Sequence, residues 1–285
     1  MTTTKSMISE PAPAKVNLTL HVIGQRKDGY HLLDSLVMFM MLGDVVTVTP
    51  ADHLSLTIDG PFSADLIAND DNLVLQAALS FGFIKGAAIN LTKNLPVASG
   101  IGGGSADAAA TLRALSRLWG VPIPNSKTIL KLGADVPVCM TTKLSHMRGI
   151  GDQVDILPPP KKLNILLVNP NVTVSTAQVF GELACKLNTP MAINMPDPSD
   201  TDDWIKWLTD QRNDLESPAL NSAPAIGEVL RSLRAQNGCV LARMSGSGAT
   251  CFAFFKDSNT RYAAAVTLRQ SNTTWWITET EEALI

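Results

Sequence analysis

Hydrophobic and polar residues alternate in several short segments of the chain. In Lys15–Val22 a valine or leucine occupies every second position, which is typical of a β-strand. Asp44–Thr49 and Leu54–Ile58 favour strands in composition and are bounded by Pro, Asp or Gly, so they predict two more. Further strands are predicted at Ala88–Lys93, Leu163–Val168, Cys251–Phe255 and Thr274–Thr278.

Apolar residues spaced three and four positions apart predict helices between these strands. The strongest pattern is Ser105–Trp119, where Ser105 is the predicted N-cap and Gly120 lies where a C-terminal glycine belongs. Further helices are predicted at Asn72–Phe81, around Trp204–Leu208 and near Ala225–Ala235. Because strands and helices intermix in both halves of the chain, the predicted fold class is α/β or α+β.

The run of three prolines and two lysines at Pro158–Lys162 is the predicted domain boundary, because proline continues neither a helix nor an internal strand. A chain of 285 residues is long enough for two modest domains. We therefore predict an N-terminal domain over residues 1–160 and a C-terminal domain over residues 161–285.

Composition narrows the class of protein. Hydrophobic residues make up 45% of the chain, which supplies a buried core and excludes an intrinsically disordered protein. The net charge of −3 argues against a nucleic-acid partner, and no apolar window is long enough for a membrane helix. The four cysteines lack zinc-site spacing, and the chain begins without the apolar segment of a secretory signal. We expect a cytoplasmic protein with unpaired cysteines.

A glycine-rich loop, Pro96–Asp107, runs directly into the strongest predicted helix. Glycines let backbone N–H groups approach an anion, and a helix start adds unpaired N–H groups and the positive end of its dipole. The loop lacks the Gly-Lys-Ser/Thr ending of the common P-loop and the third glycine of a dinucleotide fingerprint. The residues therefore predict an anion site, for a di- or triphosphate, although a plain flexible loop is the alternative.

Three further features are candidates for chemistry. Lys15 and Asp135 are charged residues in apolar segments, and a buried charge requires a partner, so each is a candidate partner for the other. If they meet beside a phosphate, the carboxylate could accept a hydroxyl proton and the amine could offset phosphoryl charge. The alternative is that each is a surface charge or a cap. Asp28-Gly29-Tyr30-His31 marks a turn whose aromatic residues could bind a ring or be structural.

Taken in order, five segments resemble the small-molecule kinase superfamily of galactokinase, homoserine kinase, mevalonate kinase and phosphomevalonate kinase (GHMP). The segments are Pro13–Leu18, Asp28–His31, Pro96–Ala109, Gly133–Pro137 and Ser245–Ala249. The glycine loop alone indicates only the superfamily. Three of the segments together, Ala14–Leu18, Asp28–His31 and Gly133–Pro137, are similar to a branch that acts on a cytidine-diphosphate-linked alcohol.

This resemblance implies an α+β two-domain fold, with an N-terminal domain like ribosomal protein S5 domain 2 and a ferredoxin-like C-terminal domain. It implies ATP and Mg²⁺ as cofactors, a small cytidine diphosphate substrate, a role in isoprenoid precursor synthesis, and a monomer or homodimer. The implied catalytic residues are Lys15 and Asp135, with Ser105 as a candidate Mg²⁺ ligand. The implied ATP-binding residues are Pro96, Val97, Ala98, Ser99, Gly100, Ile101, Gly102, Gly103, Gly104, Ser105, Ala106, Asn72 and Lys93. The implied substrate-binding residues are Asn17, Asp28, Tyr30, His31 and Thr176.

The chain departs from the family pattern in three places. The connection Val121–Leu132 is short, so the helix before Asp135 is expected to be clipped. Ala98 and Ser99 replace two glycines. Residues 1–10 are expected to be a disordered tail.

Two other functions stay open. One is a kinase of the same superfamily for another small alcohol, such as homoserine, and the other is a nucleotide-binding regulator without catalysis.

Overall fold

The computed structural model describes residues 7–64, 66–83, 85–192 and 194–283. Its strands are β1 (Ile8–Asn17), β2 (His21–Gln25), β3 (His31–Pro50), β4 (Leu54–Asp59), β5 (Ala87–Thr92), β6 (Ser145–Gly149), β7 (Gln153–Ile156), β8 (Asn164–Asn169), β9 (Cys239–Met244), β10 (Cys251–Phe255) and β11 (Trp276–Thr280). Its helices are α1 (Leu73–Leu79), α2 (Gly103–Trp119), α3 (Ser126–Leu132), α4 (Val136–Cys139), α5 (Thr176–Gly181), α6 (Thr201–Thr209), α7 (Glu216–Ser222), α8 (Ala225–Arg234) and α9 (Ser258–Ser271).

The chain divides into two compact units. Unit 1 comprises Met1–Ala14, Leu42–Val97 and Gly102–Thr141. Unit 2 comprises Lys15–Met41, Ala98–Ile101 and Thr142–Ile285. Each unit contains strands and helices, so the predicted α+β two-domain class is confirmed.

Unit 1 contains both strands and helices. The end of β3 pairs antiparallel with β5, and β5 pairs parallel with β4. The long helix α2 contacts α1 and α4. Its small side chains, Ala108, Ala109 and Ala110, are completely buried, which allows neighbouring elements to approach closely. Gly120 ends α2 with φ +66°, as predicted.

Unit 2 contains a four-stranded antiparallel sheet with the strand order β11-β8-β10-β9. Since the helices α5–α8 follow β8 and α9 follows β10, this is the split βαβ arrangement of ferredoxin-like domains. Alternate residues of β8 and β10 pack into a core with α7, α8 and α9. Unit 2 also contains β2, the start of β3, β6 and β7, which pair antiparallel.

Two predictions from the pattern were wrong. Residues 8–10 are not a tail but the start of β1, because Glu10 forms ion pairs with Arg113 and Arg117 of α2; residues 1–6 lie outside the described residues. Lys15–Val22 is not one strand, since β1 ends at Asn17 and β2 begins at His21.

None of the four cysteines forms a disulfide bond in the part of the chain that the structure describes. None of the described helices combines the length and apolar character needed to cross a membrane.

Candidate active site

The glycine-rich loop enters α2 at a helix start that no side chain caps. Gly102 is the N-cap residue, with φ +66°, and the helix begins at Gly103. Ser105 is the third residue of the helix rather than its N-cap, so that prediction was wrong. The physical reason is that glycine tolerates the left-handed conformation, which lets the helix begin before Ser105. The N–H groups of the first turn, left without a side-chain cap, suit an anion.

The first part of the loop belongs to unit 2, where it packs against the turn before β10. Gly100 has φ +76°, and a Cβ built on it would lie 2.5 Å from the carbonyl oxygen of Gly248 and 2.7 Å from that of Ser245. The amide of Thr250 donates to the carbonyl of Ser99 over 3.0 Å. Two glycine segments far apart in the sequence therefore form one packed structure, in which only glycine fits at position 100.

Lys15 is oriented by a series of buried hydrogen bonds at the end of β1. The residue is 3% exposed, and its Nζ donates to Asn17 Oδ1 over 2.7 Å. Asn17 Nδ2 donates to Ser35 Oγ over 2.9 Å, and Ser35 Oγ donates to the carbonyl of Thr19 over 2.5 Å. The backbone amide of Lys15 donates to the carbonyl of Ile101 over 2.9 Å, so the strand that carries the lysine contacts the glycine loop directly.

Ser245 strengthens the same contact. The amide of Asn17 donates to Ser245 Oγ over 3.1 Å, and Ser245 Oγ donates to the carbonyl of Gly100 over 3.0 Å. Unit 2 therefore brings together Lys15, Asn17, the first part of the glycine loop and the second glycine segment. Ser35 belongs to this network, but no motif in the sequence singles it out.

In unit 1, Asp135 is the N-cap residue of the short helix α4 and is half-buried. Its carboxylate accepts no capping hydrogen bond from that helix. The preceding helix α3 is only 7 residues long and is capped by Asn125, so the short connection does retain a helix. Ser105 Oγ would lie 3.8 Å from a Cβ built on Gly133, which makes Ser105 a neighbour of the segment that ends in Asp135.

Asn72 and Lys93, both in unit 1, have structural partners. Asn72 Oδ1 caps α1 by accepting from the amide of Val74 over 3.0 Å. Lys93 is buried and pairs with Asp44 and, over 2.7 Å, with Asp107. Burial lowers the pKa of Lys93, but the two carboxylates outweigh it and raise this pKa above its usual value. Burial also raises the pKa of Asp107, to about 7, against the effect of Lys93.

His31 stacks on Phe180, a residue of α5 that no sequence signal indicates. The ring centroids are 4.8 Å apart and the ring planes differ by 27°. His31 Nε2 is buried and has no hydrogen-bond partner among the described residues. Burial, followed by the charge of Lys186, lowers the pKa of His31. The ring is therefore neutral at neutral pH, and its Nε2 can donate or accept one hydrogen bond according to the tautomer.

The remaining residues implied for the substrate side lie in unit 2. Tyr30 is 56% exposed, and its amide donates to Asp28 Oδ1 over 3.4 Å. The Asp28 carboxylate pairs with Arg26 over 2.6 Å on the surface. Thr176 Oγ1 and Ser247 Oγ share a hydrogen bond of 2.8 Å, so α5 is joined to the second glycine segment. The sequence singles out the segment Ser245–Ala249, but only the structure shows that Ser247 contacts Thr176.

The side chains near the start of α2 fit a Mg²⁺ ion that takes a single protein oxygen as ligand. The described residues contain no cluster of three or more His, Cys, Asp or Glu side chains that could hold a metal ion. Mg²⁺ at phosphate-transfer sites takes one or two protein oxygens and completes its shell with phosphates and water. The half-buried Ser105 hydroxyl, in the first turn of α2, suits this as a single oxygen ligand.

Comparison with known proteins gives two family models and several relatives. The models are GHMP kinases N terminal domain, over residues 72–156, and GHMP kinases C terminal, over residues 194–272. A 4-diphosphocytidyl-2-C-methyl-D-erythritol kinase from Ruegeria pomeroyi is 53% identical over 93% of this chain and 95% of its own length. The kinase of the same name from Paracoccus denitrificans is 51% identical over 94% of each chain.

Solved structures agree with the relatives. A crystal structure of 4-(cytidine 5'-diphospho)-2C-methyl-D-erythritol kinase matches with a TM-score of 0.78 and 29% identity, over 97% of this chain and 100% of the other. A homoserine kinase from Cytophaga hutchinsonii, 18% identical over 99% of this chain and 96% of its own, shares the fold with a TM-score of 0.70. The chain therefore belongs to the GHMP kinase family, and within it to the 4-diphosphocytidyl-2-C-methyl-D-erythritol kinases.

Proposed function

We propose that this kinase transfers the γ-phosphoryl group of ATP to the 2-hydroxyl of 4-diphosphocytidyl-2-C-methyl-D-erythritol, in the non-mevalonate route to isoprenoid precursors. Relatives about half identical over nearly the whole chain bear the name of that activity. The structural observation that carries the choice of substrate is the buried His31 Nε2 without a partner, on a ring stacked against Phe180.

A pyrimidine base matches this environment. Cytosine has two acceptors, N3 and O2, and an amino donor, so a neutral imidazole can pair with its edge as donor or acceptor. An unpaired buried polar atom costs about 1–3 kcal/mol, which a bound base would relieve. Tyr30 is exposed beside His31 and is proposed to cover the base. Asn17, Asp28 and Thr176 are proposed to line the rest of the substrate site.

We propose that the glycine loop, Pro96–Ala106, binds the phosphates of ATP. The uncapped start of α2 supports this role, because its N–H groups and the helix dipole favour negative charge. Asn72 is proposed to lie on the adenosine side. The buried ion pairs of Lys93 favour an indirect role for that residue.

The proposed chemistry needs one base and one cation. The Asp135 carboxylate accepts the proton of the 2-hydroxyl as the substrate oxygen bonds to the γ-phosphorus. The bond from that phosphorus to the β,γ-bridging oxygen breaks, giving ADP and a phosphate monoester. The Lys15 ammonium, oriented through Asn17, offsets charge on the phosphoryl group and positions the hydroxyl. Ser105 and the phosphates of ATP would hold Mg²⁺, which would supply positive charge to offset the negative charge of the phosphates.

Steady-state ADP release tests the substrate. We expect release that depends on the cytidine-linked alcohol. Equal turnover of homoserine or mevalonate would favour the second candidate, a kinase for another small alcohol. The substrate of such a kinase contains no base for Tyr30 and His31 to bind, so this candidate also predicts that Tyr30→Ala leaves substrate affinity unchanged.

Asp135→Asn tests whether the fold is catalytic or only binds nucleotide. We expect turnover to fall at least about a hundredfold, the low end for positioned proton transfer, while ATP affinity is largely kept. Asp197→Asn, at an exposed carboxylate, is the matched control. A fully active Asp135→Asn enzyme would remove this residue from the mechanism.

Three further expectations stay predictions. They are the domain boundary at residue 160, a cytoplasmic location, and a monomer or homodimer as the working form.

A further inference from the structure

Three buried charged residues connect the two ends of the glycine loop within unit 1. Lys93 follows β5, Asp44 lies on β3 and Asp107 lies in the second turn of α2. These residues are 3%, 1% and 3% exposed, respectively. Lys93 Nζ pairs with Asp44 Oδ2 and, over 2.7 Å, with Asp107 Oδ2. One amine is therefore shared between the strand side and the helix side of the loop.

Asp44 also holds the backbone where the chain enters the loop. Its Oδ1 accepts from the amide of Asn94 over 2.6 Å and from the amide of Leu95 over 2.9 Å. On the other side of the loop, Lys93 Nζ would lie 3.4 Å from a Cβ built on Gly103, the first residue of α2. The cluster therefore holds the backbone on both sides of the loop.

We propose that Lys93, Asp44 and Asp107 are positioning residues, which keep the strand before the glycine loop and the helix after it at a fixed separation. A fixed separation aligns the first-turn N–H groups of α2 with the phosphates of ATP. Such alignment contributes a large part of the binding free energy and of the rate enhancement. The inference rests on the proposed function only in that the loop binds ATP.

This role differs from a direct contact between Lys93 and the adenosine, which the family resemblance implies. The ammonium already has two carboxylate partners in a buried site, and releasing it would leave two acidic groups without their cation. Asp107 Oδ1 has no hydrogen-bond partner among the described residues, so the helix side of the cluster depends on the single bond from Lys93.

The two roles predict different patterns in a set of variants. If the cluster positions the loop, Lys93→Met, Asp107→Ala and Asp44→Asn should each raise the Kd of ATP between about tenfold and a hundredfold, as misplaced binding groups do. The Kd of the double variant Lys93→Met/Asp107→Ala should exceed that of the weaker-binding single variant by no more than about twofold, because both changes break the same bond. Among the described residues Asp107 uses only one of its oxygens, so Asp107→Asn keeps the acceptor for Lys93 and should restore most of the affinity. Asp44 uses both of its oxygens, one for Lys93 and one for the amides of Asn94 and Leu95, so Asp44→Asn must lose one of these contacts.

The measurement is calorimetric titration of the full chain with Mg²⁺ and a non-hydrolysable ATP analogue, normalised to the folded fraction from circular dichroism. Glu10→Ala is the matched control, since it breaks partly buried ion pairs to Arg113 and Arg117 further along α2. We expect the control to lose stability but keep its Kd. If Asp107→Ala fails to fold, Asp44→Asn supplies the same comparison from the strand side.

Two results would overturn the inference. One is an unchanged Kd in Asp107→Ala and Asp44→Asn with a raised Kd in Lys93→Met, which would mean direct contact. The other is an equal rise in Kd in Glu10→Ala, which would mean general destabilisation. The titration contains no alcohol substrate, so failure of the parent enzyme to turn over the cytidine-linked alcohol would refute the proposed function without touching this test.

Discussion

Replacing Gly100 with alanine tests whether the two glycine segments of unit 2 must pack together. At φ +76° an alanine Cβ would lie 2.5 Å and 2.7 Å from two carbonyl oxygens, those of Gly248 and Ser245. Real Cβ atoms do not approach oxygen so closely, so one segment must move. That movement stretches the hydrogen bond from Ser245 Oγ to the Gly100 carbonyl, which is 3.0 Å long.

The magnitude follows from two separable contributions. A residue with a side chain in the left-handed conformation costs about 1–2 kcal/mol, and losing one hydrogen bond costs about 0.5–1.5 kcal/mol. The overlap with two backbone oxygens adds strain to both. We expect Gly100→Ala to lower the free energy of unfolding by at least about 2 kcal/mol and to weaken ATP binding, because the distortion lies in the loop that we propose to bind phosphate.

Gly120→Ala is the matched control. Gly120 has φ +66°, but a Cβ built there meets nothing within 4 Å, so this variant should lose only the backbone contribution. Urea denaturation gives the two free energies of unfolding, and calorimetry gives the two ATP affinities. Equal losses of stability in the two variants, or an unchanged ATP affinity in Gly100→Ala, would refute the packing argument.

Two further predictions concern titratable side chains. His31→Ala should raise KM for the cytidine-linked substrate about tenfold, equivalent to about 1.4 kcal/mol, and leave KM for ATP unchanged. In the parent enzyme the pKa of His31 is lowered, so the substrate KM should stay constant above about pH 6.5 and rise only at lower pH. A rise in KM that begins above pH 7 would contradict this assignment. Asp107 has its pKa raised to about 7, so it stabilises the folded state at low pH, and that stabilisation is lost as the pH rises from 3.8 through about 7. Between pH 5 and pH 8 the parent should lose unfolding free energy relative to Asp107→Asn in urea denaturation, and a pH-independent difference would show that Asp107 does not titrate there.

Local patterns identified most of the elements that support the site. The helix predicted over Ser105–Trp119 is α2, and Asn72 and Gly120 lie at helix ends where the pattern indicated them. Two of the wrong predictions share a cause. Both depend on features of the folded chain that local patterns do not show. The start of α2 depends on the left-handed conformation of Gly102, and the structure of residues 8–10 depends on ion pairs from Glu10 to α2.

The amino-acid sequence by itself determined the family, the glycine loop and the residue types of the proposed chemistry, because these reside in contiguous motifs. Only the tertiary structure decided that Phe180 backs His31, that Ser35 supports Asn17 and that Lys93 lies between two carboxylates. The physical reason is that such partners come from distant positions in the chain. Their contacts depend on burial and distance, which no local spacing of residues encodes.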